Sequence, residues 1–496
     1  MRLGFLLNQE TCIGCHACTV ACKSEHGVPL GGFRTWVKHI EKGTFPDVRR
    51  HFSVMRCNHC DDAPCIPICP TNALFRRPDG VVDFDSAACI GCKSCMQACP
   101  YDALYIDPES NTAAKCNFCA HRIDAGLEPA CVIVCPVQAI GVGDLDDPNS
   151  SLSKLAANGA AVRKPELGTR PKTFYLGADP ASLDPLQIDD RGPYPFAANG
   201  PSPDTDPGAV REIYDVPHPA PWGWKVWSYL WTKSIAAGAL IAAAVLGLGR
   251  PEFSDHPLVT RAAPAMALLF IAVTALLLIF DLKRPERFWY MLVRPNWKSW
   301  LVRGSVILGA FGAVAAWWLV APGPAVYAVS IPISLGTAGY TAFLFRQAKG
   351  REFWGSKWVL VHLLVQALAA GAASMAILAP MSLFDDGART LLFFGPLLGA
   401  SLCAHALFAR LEAAAGHGSP HARRAAREIS EGRHRRDFLG NVLVAGVILP
   451  LGLLAALPVA GSVAPSLGLL ASLFALWGLY RYERMWILAG QAVPLS

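Results

Sequence analysis

Residues 89–100 decide the fold of the first third of the chain, and they read Cys89-Ile90-Gly91-Cys92-Lys93-Ser94-Cys95-Met96-Gln97-Ala98-Cys99-Pro100. Three cysteines separated by two residues each can turn their thiolates toward one centre, and a fourth follows after three more residues. A proline follows the fourth cysteine. Its ring fixes the φ angle of the proline at about −65° and turns the chain away from the cysteines. Such spacing predicts short strands and turns around metal centres, without long amphipathic helices.

Sixteen of the seventeen cysteines follow this pattern in four groups of four. The first and third groups share the spacing C-x2-C-x2-C-x3-C, the second has four residues in its middle gap, and the fourth has eleven. The groups are Cys12, Cys15, Cys18 and Cys22; Cys57, Cys60, Cys65 and Cys69; Cys89, Cys92, Cys95 and Cys99; and Cys116, Cys119, Cys131 and Cys135. The spacing is the bacterial ferredoxin signature. Sixteen iron ligands predict four 4Fe-4S clusters as cofactors, and we expect residues 1–148 to form a domain that relays electrons.

The composition of the second half of the chain indicates a lipid environment. The chain is 53% hydrophobic and 17% charged, and its long apolar segments all follow residue 226. They cover residues 227–249, 262–281, 301–322, 325–345, 358–380, 390–409, 438–459 and 463–480. Each has about twenty residues, enough to cross a hydrocarbon core of about 30 Å, and tryptophans cluster at the ends.

These patterns predict the fold class and the domain organisation. We expect an α+β ferredoxin-like tetracluster domain followed by an all-α transmembrane bundle of eight helices. Between them, residues 149–222 are rich in Pro and Gly and predict an irregular connector. Residues 223–496 are then the membrane anchor.

Positive residues predict which way the anchor faces. With the N-terminus inside, the inner loops and the tail carry eighteen Lys and Arg residues, and the outer loops carry only Arg250, Arg261 and Arg389. Cytoplasmic loops retain positive residues, and residues 1–8 hold neither a secretory apolar stretch nor a twin-arginine leader. We expect a multi-pass protein of the bacterial inner membrane, with the iron-sulfur domain and both termini in the cytoplasm. The net charge of +6 is small for 496 residues and indicates no nucleic-acid partner.

Three other uses of the cysteines explain the pattern less well. Disulfides conflict with a cytoplasmic domain, where thiols stay reduced. Zinc ribbons use pairs of C-x2-C but leave the fourth cysteine of each group unexplained. The string from Cys12 to His16 matches the C-x-x-C-H motif of c-type haem. However, Cys18 and Cys22 complete a ferredoxin group there, and c-type haem is not attached on the cytoplasmic side.

Polar side chains in the apolar segments mark a candidate quinone site, because such residues are costly in a membrane. The candidates are Lys233, Asp281, Arg303, His362, Gln366 and His405, with Arg284 and Arg287 just outside the segments. All fall in the inner halves of their segments, where a quinone could exchange protons near the last cluster. With no ionisable residue in the outer halves, we expect no proton pumping across the bilayer. We also expect no haem, and we expect Cys403 to be a small apolar core residue.

The sixteen-cysteine pattern, with its opening Cys12-Ile13-Gly14-Cys15-His16-Ala17-Cys18-Thr19-Val20-Ala21-Cys22, resembles the four-cluster electron-transfer subunit of the dimethyl sulfoxide reductase family of molybdenum enzymes. Residues from about 222 onward resemble the membrane anchor of that family. That likeness rests on the helix count, on Asp281-Leu282-Lys283-Arg284-Pro285-Glu286-Arg287-Phe288 and on Ala489-Gly490-Gln491-Ala492-Val493-Pro494. The two parts are fused here into one chain.

The resemblance implies a complex with a separate molybdopterin-containing catalytic subunit, with membrane quinone or quinol as the exchangeable substrate and the lipid bilayer as its surroundings. It also implies that groups one and four share two clusters, as do groups two and three. The implied ligand sets are Cys12, Cys15 and Cys18 with Cys135; Cys116, Cys119 and Cys131 with Cys22; Cys57, Cys60 and Cys65 with Cys99; and Cys89, Cys92 and Cys95 with Cys69.

Fusion to a positive-inside anchor is similar to the cytoplasm-facing sulfite dehydrogenase type, so the leading hypothesis is sulfite oxidation with electrons passed to quinone. The chain itself would lack a catalytic site for the terminal substrate. One alternative is a dimethyl sulfoxide reductase, or another S- or N-oxide reductase, that is fed by quinol. A second is a quinone reductase module fed by a soluble donor, and a third is a scaffold with structural clusters.

Overall fold

The computed structural model describes residues 1–43, 46–188, 196–197, 200–201, 210–378, 387–414 and 418–496. An N-terminal domain of short strands and helices precedes a bundle of long helices, so the predicted fold class is confirmed. Parts of the predicted connector (189–195, 198–199 and 202–209) and the end of one predicted segment (379–380) lie outside the described residues. The same is true of the side chain of Arg389.

The N-terminal half consists of short elements. Its strands are β1 Leu3–Asn8, β2 Thr35–Lys42, β3 Arg49–Arg56, β4 Leu74–Arg76, β5 Val82–Phe84, β6 Leu104–Ile106, β7 Ala113–Lys115, β8 Ile140–Asp144, β9 Thr173–Leu176, β10 Phe196–Ala197, β11 Gly200–Pro201 and β12 Val210–Tyr214. Its helices are α1 Ala17–His26, α2 Cys65–Ile68, α3 Ser94–Ala98, α4 Ala120–Asp124, α5 Ala130–Ile133, α6 Ser151–Ala157 and α7 Pro180–Leu183, with 3₁₀ turns at Pro165–Leu167 and Pro185–Gln187.

Cys-Pro pairs explain why two helices of this half end so soon. α2 ends just before Cys69 and α3 ends just before Cys99, and each of these cysteines precedes a proline. A proline disfavours helical backbone in the residue before it. Both cysteines are accordingly extended, with ψ of 120° and 119°. In the second and third groups, the fourth cysteine is therefore directed away from the helix that carries the third.

Two three-stranded sheets hold these turns together. β1 is central in the first, antiparallel to β8 and parallel to β9. β2 is central in the second and pairs with β3 and β12, both antiparallel. β4 with β5, β6 with β7 and β10 with β11 form two-stranded ribbons. The core between the sheets contains the buried cysteines together with residues such as Phe5, Ile68 and Phe118.

The predicted connector over residues 149–222 is more ordered than its composition indicated. In its described part, β9 adds a parallel strand to β1 and β12 adds an antiparallel strand to β2. Both central strands would otherwise present unpaired backbone groups along an open edge. The expectation of an irregular segment is therefore corrected here, because these pairings join residues far apart in sequence and local composition does not reveal them.

The C-terminal half consists of helices, most of them long. They are α8 Trp224–Gly249, α9 Ala263–Asp281, α10 Tyr290–Val293, α11 Trp300–Val320, α12 Pro324–Gln347, α13 Val359–Leu378, α14 Gly387–Ala414, α15 Pro420–Ser430, α16 Arg435–Asp437, α17 Leu449–Ala456 and α18 Ala464–Ala492. π-helical turns at Leu258–Ala262 and Phe438–Ile448 lead into α9 and α17, and 3₁₀ turns lie at Pro251–Phe253, Pro285–Arg287, Glu352–Gly355, Leu457–Val459 and Gly461–Val463.

In the described part of the chain, eight helices are long and apolar enough to cross a membrane, as predicted. α8 lies deepest in the bundle, and 83% of the residues in its most apolar stretch are buried. It packs closely against α13, because Gly238 and Gly371 face each other and leave no room for side chains. Cys403, which we expected in the core, is exposed on α14 instead. A small thiol is tolerated there because the outer surface of such a helix faces lipid.

Buried polar contacts join the two halves. Arg351, which follows α12, donates from Nε to Oε1 of Gln97 at 2.9 Å and from Nη1 to the carbonyl of Val493 at 2.8 Å. Asn296 donates to the carbonyl of Cys69 at 2.8 Å, and Ser299 donates to the carbonyl of Ile68 at 2.8 Å. The second and third cysteine groups are thus attached directly to the membrane helices.

Candidate electron-transfer path and membrane pocket

The structure brings the sixteen cysteines together in the four sets that the resemblance implied. The thiol of Cys135 lies close enough to that of Cys12 for their charges to interact, and Cys22 has the same relation to Cys116 and Cys119. Cys99 lies near Cys60 and Cys65, while Cys69 lies near Cys89, Cys92 and Cys95. Two of the sets surround small cavities, one lined by Cys69, Cys89, Cys92 and Cys95 and the other by Cys22, Cys116, Cys119 and Cys131.

The chemistry of these thiols fits iron-sulfur clusters. Burial, reinforced by neighbouring thiols, raises the pKa of Cys18 to about 11 and that of Cys116 to about 12. Thiols this hard to ionise become thiolates when a metal supplies positive charge. In the described residues, no three His, Cys, Asp or Glu side chains are placed to hold a single metal ion.

A buried cation supplies a second test of that fit. Arg56 is 1% exposed, and its Nη1 lies 3.3 Å from Sγ of Cys131. Its Nε and Nη2 atoms have no hydrogen-bond partner within the part of the chain that the structure describes. Buried guanidinium groups are normally fully paired. If the neighbouring cysteines held an iron-sulfur cluster, its sulfides and thiolates would be acceptors of the kind that these donors require.

The four sets follow one another in a line. Cys18 of the first set lies near Cys131 of the second, Cys116 of the second lies near Cys57 of the third, and Cys95 of the fourth lies near Cys65 of the third. At one end Cys15 is exposed. The apolar side chains of Ile13, Val20 and Ile133 are more than half exposed there as well. At the other end, Cys92 reaches the membrane helices.

An apolar pocket lies where Cys92 meets those helices. Its polar groups include Ser94 beside Cys92, Tyr229 of α8, Asp281 of α9 and Tyr340 of α12. The remaining lining is mostly apolar and comes from Trp222, Val226, Leu278, Ile279, Leu282, Met291, Leu301, Ser305, Leu308 and Leu344. A few polar groups in an otherwise apolar cavity are the usual features of a small-molecule site.

Asp281 connects this pocket to the cluster domain and to an open cleft. Its Oδ1 lies 2.9 Å from Nζ of Lys93, the residue that follows Cys92. Asp281 also lines a wider cleft beside the pocket, together with Lys93, Lys225 and Lys283. The carboxylate is thus placed between a polar cleft and an apolar pocket that is also lined by Cys92.

The other predicted quinone residues lie in three different places. Arg284 donates to the carbonyl of Ser110, and Arg287 donates to those of Ser86 and Cys89, so both attach the turn after α9 to the cluster domain. Arg303 donates to the carbonyl of Trp297 at the start of α11. The third place lies deeper in the bundle and contains Lys233, His362, Gln366 and His405. Of the predicted set, only Asp281 lines the pocket.

Several residues of these sites were not predicted from the sequence. Tyr229 and Tyr340 come from two separate helices, and no spacing pattern connects them. Glu412, Tyr482 and Glu483 lie with His362 around a second small cavity. An acid near the end of an apolar segment was a usable signal for Glu412.

Comparison with known proteins matches two separate parts of the chain. A family model described as a 4Fe-4S dicluster domain matches residues 48–145, and one described as Polysulphide reductase, NrfD matches residues 214–494. The N-terminal part is similar to the B subunit of tetrathionate reductase from Salmonella typhimurium, with 45% identity over 190 residues that cover 37% of this chain and 76% of that protein. The B component of polysulfide reductase from Wolinella succinogenes is 41% identical over 181 residues, which cover 35% of this chain and 94% of that protein. The B subunit of sulfite dehydrogenase from Allochromatium vinosum is 38% identical over 198 residues, which cover 35% of this chain and 82% of that protein.

Proposed function

Since this protein belongs to the polysulphide reductase NrfD family and carries that anchor fused to an iron-sulfur domain, we propose that it passes electrons through four 4Fe-4S clusters between a molybdopterin catalytic subunit and the membrane quinone pool. It is an electron-transfer and membrane-anchor subunit of a molybdoenzyme complex. The four clusters, the quinone and the residues assigned to each are the proposed part. The division into a cluster domain (1–148), a connector (149–222) and a membrane anchor (223–496) is also proposed. The connector strands β9 and β12 pair with strands β1 and β2 of the cluster domain.

The observation that carries the proposal is that one cavity is lined by both Cys92 and Asp281. Cys92 belongs to the last cysteine set of the line, so electrons arriving there have the shortest route into the pocket. When bound, each cluster accepts and passes one electron. Tyr340 and Asp281 are placed to hold or exchange a proton at a quinone oxygen. Their neighbours are apolar, as the ring and tail of a quinone require.

The opposite end of the line supports a partner that carries its own redox centre. Cys15 is exposed, and the apolar side chains of Ile13, Val20 and Ile133, from the first and fourth cysteine groups, are exposed as well. Exposed apolar patches of this kind mark protein interfaces. We propose that the molybdopterin subunit docks here, which brings its redox centre near the set of Cys12, Cys15, Cys18 and Cys135.

We propose sulfite as the substrate of the complex and the cytoplasm as its compartment. The similarity to the B subunit of a sulfite dehydrogenase supports the substrate. The eighteen inner Lys and Arg residues support a location in the bacterial inner membrane with both termini inside. The similarity to tetrathionate and polysulfide reductase subunits supports a second candidate, a reductase of an oxidised sulfur compound that draws electrons from quinol.

The test is gentle purification of the complex from membranes, identification of the chains that co-purify, and analysis of iron and molybdenum. We expect sixteen irons per chain from the sixteen cysteines, a molybdenum-containing partner and sulfite-dependent reduction of a quinone analogue. Activity only with an oxidised sulfur compound and quinol would favour the reductase. Full iron without any molybdenum-containing partner would contradict both and favour a module fed by a soluble donor.

A further inference from the structure

A second group of buried polar residues lies between α13, α14 and α18, apart from the pocket beside Cys92. Oε2 of Glu412 accepts a hydrogen bond from the Tyr482 hydroxyl at 2.6 Å and lies 3.3 Å from Nδ1 of His362. Nε2 of His362 lies 2.9 Å from Nδ1 of His405. Each of these four residues, which we call the polar row, is at most 2% exposed. Helix packing alone would favour apolar residues here, because buried ionisable groups are costly.

A small cavity opens on the polar row. It is bounded by His362, Gln366, Glu412, Tyr482 and Glu483, together with apolar neighbours. Nε2 of His405 and Oε1 of Gln366 are buried without a hydrogen-bond partner among the residues that the structure describes. Buried polar atoms of this kind are usually satisfied by internal water. Water in such a cavity can also carry protons between the side chains around it.

Ionisable side chains lie between this cavity and the pocket beside Cys92. Glu483 interacts electrostatically with both Glu412 and Lys233. Nζ of Lys233 donates to Oγ1 of Thr341 at 2.6 Å and lies 5.0 Å from the ring centroid of Tyr340. Tyr340 lines the pocket. Ionisable groups therefore follow one another from Glu412 to the proposed quinone site.

The polar row lies at the end of the bundle that faces the cluster domain. His362 is in the first turn of α13, and Arg351, just before that helix, binds Gln97 of the cluster domain. Glu483 is near the end of α18, whose Gln491 also contacts Gln97. Electrons and protons would therefore reach the pocket from the same side of the membrane.

From this geometry we propose that the polar row and Glu483 form a proton reservoir that serves quinone reduction, delivering protons through Lys233 and Tyr340. The proposal rests on the proposed quinone site. The balance is one quinone, two electrons and two protons giving one quinol. The two electrons come one at a time from the cluster held by Cys92 and its set, one proton comes from Asp281, and the other comes from Glu483 through Lys233 and Tyr340. Glu412, Tyr482 and His362 then return protons to Glu483 from the cluster-domain side.

The titratable groups that face this route come from five helices. They are Lys233 and Tyr229 of α8, Tyr340 of α12, His362 of α13, His405 and Glu412 of α14, and Tyr482 and Glu483 of α18. Tyr229 also interacts with Asp281, so the reservoir and the Asp281 side of the pocket are electrostatically coupled. The reservoir is nevertheless a separate source of protons, because Asp281 faces the open cleft.

The experiment compares the full complex carrying Glu483→Gln, Glu412→Gln or the matched control Ser374→Ala, which alters a buried hydroxyl elsewhere on α13. Clusters are reduced first, a quinone analogue is added, and its reduction is followed in H2O and in D2O. We expect both carboxylate variants to slow quinone reduction about a hundredfold and to enlarge the solvent isotope effect. Their cluster spectra and affinity for the quinone analogue should match those of the wild type and of Ser374→Ala.

Three outcomes decide the proposal. Slow reduction with normal binding and normal clusters supports it. Wild-type rates in both carboxylate variants overturn the reservoir and leave the quinone site intact, whereas a wild-type complex that neither binds nor reduces quinone overturns both. If a variant fails to assemble, the proposal is tested instead by infrared difference spectra of the wild-type complex, recorded before and after quinone reduction. A buried carboxyl band that changes on quinone reduction and shifts in D2O supports the reservoir, and its absence overturns it.

Discussion

Nη1 of Arg56 lies 3.3 Å from Sγ of Cys131, in the interior of the cluster domain. Burial opposes the charge of this guanidinium, but the thiols of Cys131, Cys116 and Cys18 outweigh it and hold the pKa of Arg56 above its ordinary value. The side chain also lies over the ring of Phe5, 4.4 Å from its centroid. A permanent positive charge is therefore placed between the first and second cysteine sets.

Replacing Arg56 with Gln should shift the reduction potentials of the two adjacent clusters to more negative values. Reduction adds negative charge to a cluster, and a nearby cation stabilises that charge in a medium of low dielectric. Arg56→Lys should restore most of the potential because it retains the charge. The measurement is an electron paramagnetic resonance titration of the purified complex.

The matched control for that titration is Arg170→Gln, which removes an exposed arginine paired with Asp62 on the surface of the same domain. Potentials that move equally in the control and in Arg56→Gln would show that the effect is not local. Unchanged potentials in Arg56→Gln would contradict the electrostatic role directly.

The sequence predicts this domain well where its chemistry is local. The cysteine spacings are contained within short turns, so the four groups and the fold class could be predicted without a structure. The line in which the sets are arranged could not, because it brings together cysteines that are far apart in the sequence, such as Cys18 with Cys131 and Cys57 with Cys116.

The sequence likewise predicts some residues of the membrane sites and misses others. Asp281 stood out as an acid at the end of an apolar segment, and it does line the pocket. Glu483 did not, because the charges of Arg481 and Arg484 beside it place the end of the last apolar segment at residue 480. In the structure both arginines pair with Asp437, and α18 continues to Ala492. An ion pair with a distant residue thus extends a helix that local hydropathy ends too early.

Gly238→Ala should destabilise the bundle. A Cβ at this position would lie 1.7 Å from the carbonyl oxygen of Ala367, a backbone atom that cannot move aside without separating α8 from α13. Overpacking in a tight core costs about 1–3 kcal/mol, and a clash with backbone lies at or above the upper end. The measurement is the thermal unfolding midpoint in detergent. Gly312→Ala is the control, since a Cβ there meets no atom within 4 Å, and an equal loss in both variants would contradict the packing argument.

The region around His218 should lose stability at high pH. Burial opposes protonation of this ring, but hydrogen bonds with Asp102 and Asp215 prevail and raise the pKa of His218 to about 9. An unfolded histidine has a pKa of about 6.5, so the stabilisation is complete below that value and is lost as the pH rises through about 9.

The loss should be of the order of 3 kcal/mol at most and should be absent in His218→Gln. It can be followed as the thermal unfolding midpoint, read from the visible absorbance of the clusters. His121→Gln, which alters an exposed histidine paired with Glu25, is the control and should behave like the wild type. Identical pH profiles for His218→Gln and the wild type would refute the assignment.

Asp281→Asn should impair the quinone reaction while leaving the clusters intact. Oδ1 of Asp281 pairs with Lys93 at 2.9 Å and lies between the open cleft and the pocket beside Cys92. Asparagine preserves the shape and a hydrogen-bond acceptor but cannot exchange a proton, so the rate should fall by about a hundredfold while affinity for a quinone analogue changes little. Arg303→Gln is a suitable control, because Arg303 lies at the start of α11 and does not line the pocket. If both variants reduce quinone at the wild-type rate with unchanged cluster spectra, the quinone site must lie elsewhere in the bundle. If only Asp281→Asn is slow, proton exchange at this carboxylate limits the reaction.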